Sequence, residues 1–503
     1  MMKAICFHHC LNLLLHKTFK LILIYFILFI GILSIIANIN NYLCFKDCDL
    51  REDINEKCAV VGIFGHEEAS KLAYFSLHAL QHRGQEAAGI SSSDGKKLHT
   101  IKKRGLVMRV FDEAKLKTLS GSSAIGHTRY STAGDDSILD AQPVFARYDL
   151  GEMAIVHNGN LTNADEVRNA LIKKGAIFQT FMDTENLIHL IAKSSKDKLI
   201  ERIIDAVQRI EGAFSLVFLS RTKMFAMRDR FGFRPLSLGK LPNGGYIVAS
   251  ETCAFDLVGA TFIRDVKPGE LLIFEKDKEP ISMQVLESVT PKHCIFEYVY
   301  FARPDSNVFG QSVYKTRKDM GKELSKIAPI EADMVIPVPD GGVPSAIGYS
   351  QESGIPYEMG IMRNHYIGRT FIEPTQEMRD LKVKMKLSPM TDIIKGKKII
   401  VVDDSIVRGT TSRRIIRMLK EAGASEVHMR VSSPPTTDPC FYGVDTPDKE
   451  NLIASRMTNQ EICDYIEADS LAYLDEEALL RSVNSSADED KYCTACFTGK
   501  YIV

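Results

Sequence analysis

Residues 399–411 read Ile399-Ile400-Val401-Val402-Asp403-Asp404-Ser405-Ile406-Val407-Arg408-Gly409-Thr410-Thr411. Four β-branched residues in a row suit a strand buried on both faces of a parallel sheet. Two carboxylates, Asp403 and Asp404, then stand where that strand ends. A short turn with Ser405, Arg408, Gly409, Thr410 and Thr411 leads into a helix with Ile415, Leu419 and Ala422 on one face and Gly423 as its stop. Such a layout binds phosphate at backbone N–H groups and at the positive end of the helix. The adjacent carboxylates suit ribose hydroxyls or a hydrated Mg²⁺. It is not a Walker loop, because no Gly-Lys-Ser/Thr follows the glycine. The competing reading is an ordinary strand–turn–helix crossover whose aspartates only cap the helix.

The chain of 503 residues is long enough for two or more domains with full cores. Charged residues make up 25% and the formal net charge is −1, which argues against a polyanion-binding surface and hence against nucleic acid as a main partner. Of its 11 cysteines, Cys6, Cys10, Cys44 and Cys48 precede residue 49. A disulfide framework does not suit a chain of this size, so metal or catalytic roles compete with buried free thiols. Residues 21–37 are almost wholly apolar and follow Lys17 and Lys20, like a signal anchor or short membrane span. No second such span follows residue 50. The first 50 residues are rich in Leu, Ile, Asn, Phe and Cys, as translated AT-rich upstream DNA would be. The expectation is a start assigned too early, with translation from near Leu43 or Leu50; a membrane leader is the second reading.

A different chemistry is written between residues 58 and 251. Cys58-Ala59-Val60-Val61-Gly62-Ile63-Phe64-Gly65-His66 reads as an apolar strand whose glycines permit close backbone approach. Then come Gln81-His82-Arg83-Gly84-Gln85-Glu86-Ala87-Ala88-Gly89-Ile90, Gly126-His127-Thr128-Arg129-Tyr130-Ser131-Thr132-Ala133-Gly134 and His157-Asn158-Gly159-Asn160-Leu161-Thr162-Asn163. Met182-Asp183-Thr184-Glu185, Gly212-Ala213-Phe214-Ser215, Arg228-Asp229-Arg230-Phe231-Gly232-Phe233-Arg234-Pro235-Leu236 and Ala249-Ser250-Glu251 complete the set. A thiol attacks an amide as thiolate, and its ordinary pKa leaves little thiolate at neutral pH. If the chain is cut before Cys58, the new α-amine titrates near neutrality and takes the thiol proton. One residue then supplies nucleophile and base. An oxyanion needs fixed donors, which the Asn158 side chain and the Gly159 N–H can provide. Arg129 suits an α-carboxylate by bidentate pairing, and Asp183 suits an α-ammonium group. Singly, each has a plainer explanation: Cys58 as a strand thiol, Arg129 as a surface ion pair, Asn158-Gly159 as a hairpin turn. In this order together, they do not.

These segments resemble the glutaminase domain of class II amidotransferases, which are N-terminal-nucleophile hydrolases. The 399–411 stretch resembles the phosphoribosylpyrophosphate (PRPP) loop of type I phosphoribosyltransferases. Their combination, in consistent order over about residues 56–503, resembles the glutamine PRPP amidotransferases, in their iron–sulfur, propeptide-containing branch. The resemblance implies a removed propeptide ending before Cys58 and places Arg83 among the substrate-binding residues. It also implies Mg²⁺ at Asp403 and Asp404 and the 5′-phosphate at Ser405, Arg408, Gly409, Thr410 and Thr411.

Cys493 and Cys496 form a Cys-x-x-Cys, with Cys440 and Cys294 as distant singles. One close pair and two singles suit tetrahedral thiolate ligation of zinc or of an iron–sulfur cluster, and spacing alone does not choose. The resemblance implies a [4Fe–4S] cluster at these four. Cys253 and Cys463 have no motif around them and read as packing residues.

The expected architecture is an α+β sandwich of the N-terminal-nucleophile hydrolase type over 58–290, followed by an α/β phosphoribosyltransferase domain over 295–470. A tail, 471–503, carries the Cys-x-x-Cys, and 1–57 is leader or propeptide. The first phosphate loop is expected at Pro337-Val338-Pro339-Asp340-Gly341-Gly342-Val343-Pro344, after a strand over 333–336. Relatives in the family commonly carry Ser where Gly341 stands, which removes a hydroxyl ligand for metal or pyrophosphate. Residues 362–389 resemble the loop that closes over PRPP. The implied reaction is glutamine hydrolysis with transfer of the ammonia to PRPP, giving 5-phosphoribosylamine, glutamate and pyrophosphate at the first committed step of purine synthesis. Implied with it are a cytoplasmic homotetramer and purine nucleotide feedback, with no effector site legible. A sugar-phosphate aminating enzyme would lack the Asp403-Asp404 loop, and a non-enzymatic regulator would need neither Cys58 nor Arg129.

Overall fold

Strand β1, Ala59–Phe64, divides its side chains between two cores. Ala59, Val61 and Ile63 pack towards helix α1 (Ala69–Ala79), whereas Val60 and Phe64 face a second sheet. Period-two alternation in a wholly buried strand therefore demands a layer on each side. A computed structural model of the chain describes residues 55–56, 58–129, 138–364, 387–484 and 491–503. The apolar run 21–37 lies outside them, and among the described residues no helix is long and apolar enough to cross a membrane.

The first sheet adds β2 (Ala87–Ser93), β3 (Leu98–Arg104), β4 (Ser123–Arg129), β9 (Ser237–Lys240), β10 (Tyr246–Ala249) and β11 (Thr261–Asp265), in the order β11-β9-β10-β1-β4-β2-β3. The second holds β5 (Val144–Tyr148), β6 (Gly151–Leu161), β7 (Gly212–Ser220), β8 (Lys223–Arg228), β12 (Glu270–Glu275) and β13 (Ile281–Gln284), in the order β13-β12-β8-β7-β6-β5. Val60, Ile125, Val156, Val217 and Ala226 fill the space between the sheets. Helices α3 (Thr184–Lys193) and α4 (Leu199–Val207) cover the outer face of the second sheet through Leu187, Ile191 and Ile203. The result is the expected α+β sandwich, helix–sheet–sheet–helix.

The second half is α/β. Strands β14 (Met334–Pro337), β17 (Lys398–Asp403), β18 (Glu426–Val431) and β19 (Ser470–Tyr473) form a parallel sheet in that order. Ile400 and Val402 enter one core and Ile399 and Val401 the other, so the apolar run at 399–402 is buried on both faces. Helix α7 (Thr410–Glu421) packs Ile415, Ile416 and Leu419 against the second of these cores. Gly423, at φ +95°, follows it as expected. The strand expected over 333–336 is shifted one residue, to Met334–Pro337. Residues 361–363 and 387–389 pair as a short antiparallel ladder, β15 with β16; the closing loop expected between them falls on residues 365–386, outside the described set.

The boundary expected at 470/471 cuts through β19. Residues 471–503 are thus not a separate tail. Leu474, Ala478, Leu479 and Tyr492 join the same core as Ile400, and His293–Cys294 pairs in parallel with Tyr492–Cys493. Ahead of Cys58, Asn55–Glu56 pairs antiparallel with Val444–Asp445 of the second half.

Candidate active sites

Cys58 immediately precedes β1 and is partly buried. Its backbone is left-handed, φ +76°, which costs a residue with a β-carbon on the order of 1–2 kcal/mol. The Cys58 carbonyl accepts a long hydrogen bond, 3.4 Å, from Arg83 Nε. Arg83 was expected to bind substrate. Instead it is fully buried, its guanidinium enclosed by Glu251 and Glu297 behind the Cys58 backbone.

Asn158 lies in β6 on the neighbouring sheet, fully buried, and neither amide atom has a hydrogen-bond partner among the described residues. A buried unpaired amide costs about 1–3 kcal/mol, a cost recovered where a ligand pairs with it. Gly159 follows at φ +148°. A β-carbon there would come within 2.0 Å of the Ala213 carbonyl oxygen, so only glycine fits. The strand's position is fixed from both sides. His127 Nε2 lies 3.1 Å from the His157 carbonyl, and the Gln142 side chain accepts from the His157 N–H at 2.7 Å.

Asp183 Oδ1 lies 3.3 Å from His157 Nδ1, and its Oδ2 accepts from the Leu161 N–H at 3.0 Å. Burial alone would raise this carboxyl. His157, the Leu161 N–H and the Thr184 hydroxyl outweigh it and hold the pKa down to about 2, so Asp183 stays anionic. Arg129 ends β4, half-buried, immediately before a segment outside the described residues.

In the second half, Asp403 ends β17 and Asp404 starts the turn, both nearly buried. Asp403 Oδ1 accepts from the Asp404 N–H at 2.9 Å, and Asp404 Oδ1 from the Ser405 hydroxyl at 2.8 Å. Gly409, at φ +76°, leads directly into α7 at Thr410, and a β-carbon there would meet Ile453 at 2.8 Å. The Thr410 hydroxyl is buried with no partner among the described residues. The other expected phosphate loop stands alongside: a β-carbon on Gly341 would lie 2.0 Å from Asp404 Oδ2. The carboxylate occupies the space a serine side chain would need. Both expected phosphate loops thus meet at the ends of β14 and β17, where parallel sheets bind ligands.

Residues 127–256 match the model of a glutamine amidotransferase domain, and 311–437 that of a phosphoribosyl transferase domain. Amidophosphoribosyltransferase 1, chloroplastic, of Arabidopsis thaliana is 51% identical over 453 residues, 90% of this chain and 80% of that protein. The amidophosphoribosyltransferase of Bacillus subtilis is 48% identical over 454 residues, 89% of this chain and 94% of its own. The chain belongs to the amidophosphoribosyltransferase family. The solved structure of the glutamine PRPP amidotransferase from B. subtilis, complexed with ADP and GMP, superposes with a TM-score of 0.84 at 47% identity, covering 88% of this chain and 97% of that one. The amidophosphoribosyltransferase fold and activity, glutamine-dependent pentosyl transfer with PRPP at the first step of purine biosynthesis, are therefore those of this chain.

In this amidophosphoribosyltransferase, Cys294, Cys440, Cys493 and Cys496 line one cavity with Phe233, Phe296, Tyr442, Val444, Thr446 and Ala495. Burial pushes the Cys294 thiol up to about 12 and raises those of Cys493 and Cys496 further, with the neighbouring thiols adding to it. Among the described residues no three His, Cys, Asp or Glu side chains are placed to share a single ion. The Cys440 loop also reaches the other half: the Phe441 carbonyl accepts from Asn160 Nδ2 at 3.0 Å, and a β-carbon on Gly443 would lie 2.9 Å from the Gly159 Cα.

Sequence reasoning overlooked Glu297 and gave Glu251, though within a quoted motif, no role; both are fully buried. The signal for Glu297 was present: a lone carboxylate inside Ile295-Phe296-Glu297-Tyr298-Val299 must find cationic partners. Gln142, whose side chain accepts from the His157 N–H, carried no such sign.

Proposed function

We propose that this amidophosphoribosyltransferase works through Cys58 as an N-terminal nucleophile in one half and through the Asp403–Thr411 turn in the other. The buried, unpartnered Asn158 amide, on a strand packed against β1, carries the reading. Cleavage before Cys58 frees an α-amine, and the left-handed Cys58 backbone supports a bond under strain there. The amine takes the thiol proton and the sulfur attacks the glutamine carboxamide carbon. Asn158 Nδ2 and the Gly159 N–H hold the oxyanion while ammonia departs, and water then releases glutamate from the thioester. Arg129 pairs with the substrate carboxylate and anionic Asp183 with its ammonium group.

Ammonia displaces pyrophosphate from C1 of PRPP, giving 5-phosphoribosylamine. Ser405, Arg408 and Gly409 with the first turn of α7 receive the 5′-phosphate, and the free Thr410 hydroxyl supports that assignment. Mg²⁺, when bound, neutralises pyrophosphate charge; Asp403 and Asp404 would hold it. Asp404 stands over Gly341 where other family members have a hydroxyl, so its carboxylate would supply an oxygen ligand in place of the one Gly341 lacks. A cytoplasmic homotetramer with purine nucleotide feedback completes the reading, in line with the ADP and GMP bound by the B. subtilis protein.

The four-thiol cavity suits a [4Fe–4S] cluster: its walls are otherwise largely apolar, and four cysteines from three distant stretches of the chain line it together. The reaction moves no electrons, so the cluster's part is structural, tying residue 294 to 440 and 493–496. Protein purified without oxygen should contain roughly four irons per chain. One zinc per chain, or iron-free protein with full air-stable activity, would overturn the cluster. Mature protein whose mass starts at Cys58, and which uses either glutamine or ammonium with PRPP, is the expected result for the whole reading. Turnover with neither donor would refute it.

A further inference from the structure

Four fully buried charges join the two halves behind the glutaminase nucleophile. Arg83 and Glu251 come from the amidotransferase half and Glu297 from the segment opening the transferase half; Arg234 is the fourth. Glu297 grips Arg83 with both oxygens, Oε1 from Nη2 at 2.9 Å and Oε2 from Nη1 at 3.0 Å, while Oε1 also accepts from Arg234 Nη2 at 2.9 Å. Glu251 takes the remaining direction of Arg83 Nη1, and its other oxygen accepts from the Ser306 hydroxyl at 2.6 Å and the Arg303 N–H at 2.9 Å. Burial would raise the Glu251 carboxyl, but His82 and Arg83 hold it far below the usual carboxylate range. Two cations and two anions balance. The one Arg83 nitrogen outside this grip, Nε, donates to the Cys58 carbonyl.

We propose that Glu297 is a positioning residue for glutamine hydrolysis, contributed across the domain boundary. By fixing both terminal nitrogens of Arg83 it fixes the direction of Nε, and so the backbone from which the Cys58 thiol and α-amine project. A bidentate carboxylate sets guanidinium orientation as well as charge, which a single contact cannot do. Glu297 touches no reacting atom. It acts through Arg83, and it lies three residues from Cys294, whose thiol faces the four-cysteine cavity. The inference rests on Cys58 being the nucleophile.

The test uses full-length, processed enzyme prepared without oxygen. Glu297→Gln should lower kcat with glutamine at least tenfold, leave the glutamine KM within about threefold, and leave ammonia-dependent turnover within twofold. Labelling of Cys58 by a glutamine-shaped diazoketone should slow in parallel. Because Glu297→Gln leaves an uncompensated buried cation, the charge-balanced pair Glu297→Gln with Arg234→Gln is made as well. Recovery of thermal stability with glutamine kcat still low supports positioning. Recovery of both together shows that charge balance alone matters, and overturns the proposal. Wild-type glutamine turnover in Glu297→Gln overturns it too. Cys58→Ala runs alongside: glutamine turnover surviving there defeats the nucleophile assignment itself, a result distinct from either outcome at Glu297.

Discussion

The glutaminase half and the transferase half solve the same problem, holding charge at a reacting centre, by opposite means. Asn158 and Gly159 lie within a strand of one of two packed sheets, and under the proposed reading their donors are fixed before any substrate arrives. Asp403, Asp404 and Thr410 sit at the open end of a parallel sheet, on turns between a strand and a helix. The first site pays in advance with a buried unpaired amide, and its geometry needs little reorganisation. The second gathers groups from two loops that come together at Gly341 and Asp404, which suits a large, charged substrate and its metal.

The largest expected effect tests whether the halves are chemically separable. Cys58→Ala should lower glutamine-dependent synthesis by about 10⁴-fold or more, while ammonia-dependent synthesis persists. Loss of both in folded protein would mean the sites are not independent. Asp403→Asn with Asp404→Asn inverts the pattern: PRPP-dependent turnover should fall at least about 10³-fold with either nitrogen donor, from lost metal and ribose contacts. Normal ammonia-dependent turnover in that double variant would remove the acidic pair from the site.

Asn158→Ala sharpens the claim of a fixed oxyanion donor. Glutamine kcat should drop roughly 10²–10³-fold, the usual loss for one such donor, with ammonia-dependent rates unchanged. A drop under threefold would assign the oxyanion to other groups. The smallest effect is on stability. His127 and His293 are buried neutral, each lowered to about 3 by burial, so the unfolded chain binds their protons below its ordinary pKa of about 6.5. Their contribution is fully present above that pH and is lost as pH falls towards 3. Asp229 opposes them, since burial pushes its carboxyl up to about 6 and the folded state then holds the extra proton. Burial also lowers His189 and His428, so histidines outweigh the one aspartate and stability falls with pH between 6 and 4, by at least roughly 1.4 kcal/mol per unit for one net proton. Urea unfolding followed by far-ultraviolet circular dichroism, necessary because the chain has no Trp, measures it. Stability flat or rising over that interval would contradict the burial of the histidines.

Much of this was legible beforehand, for local reasons. A β-branched run such as 399–402 has few places to go except the centre of a parallel sheet, and its turn chemistry follows directly. Cys58, Asn158 and Asp183 could be singled out in advance because the proposed chemistry demands those groups. Strand β19 escaped because it is a four-residue edge strand with Ser470 and Tyr473 only half-buried, too short and mixed for periodicity to mark. Arg83 was misjudged because its partners lie 168 and 214 residues away, and nothing local separates an arginine facing solvent from one enclosed by two carboxylates.

Gly443 and Gly159 meet backbone to backbone, with no side chain between them. In mechanical language the joint has no shim: a single added methyl on either face is a wedge. The location of a lesion and the location of its symptom then come apart. A substitution in the second half, at a residue that touches no glutamine and no PRPP, can read out as a fault in glutamine use, and deep mutational maps of this enzyme will not divide along its domain boundary.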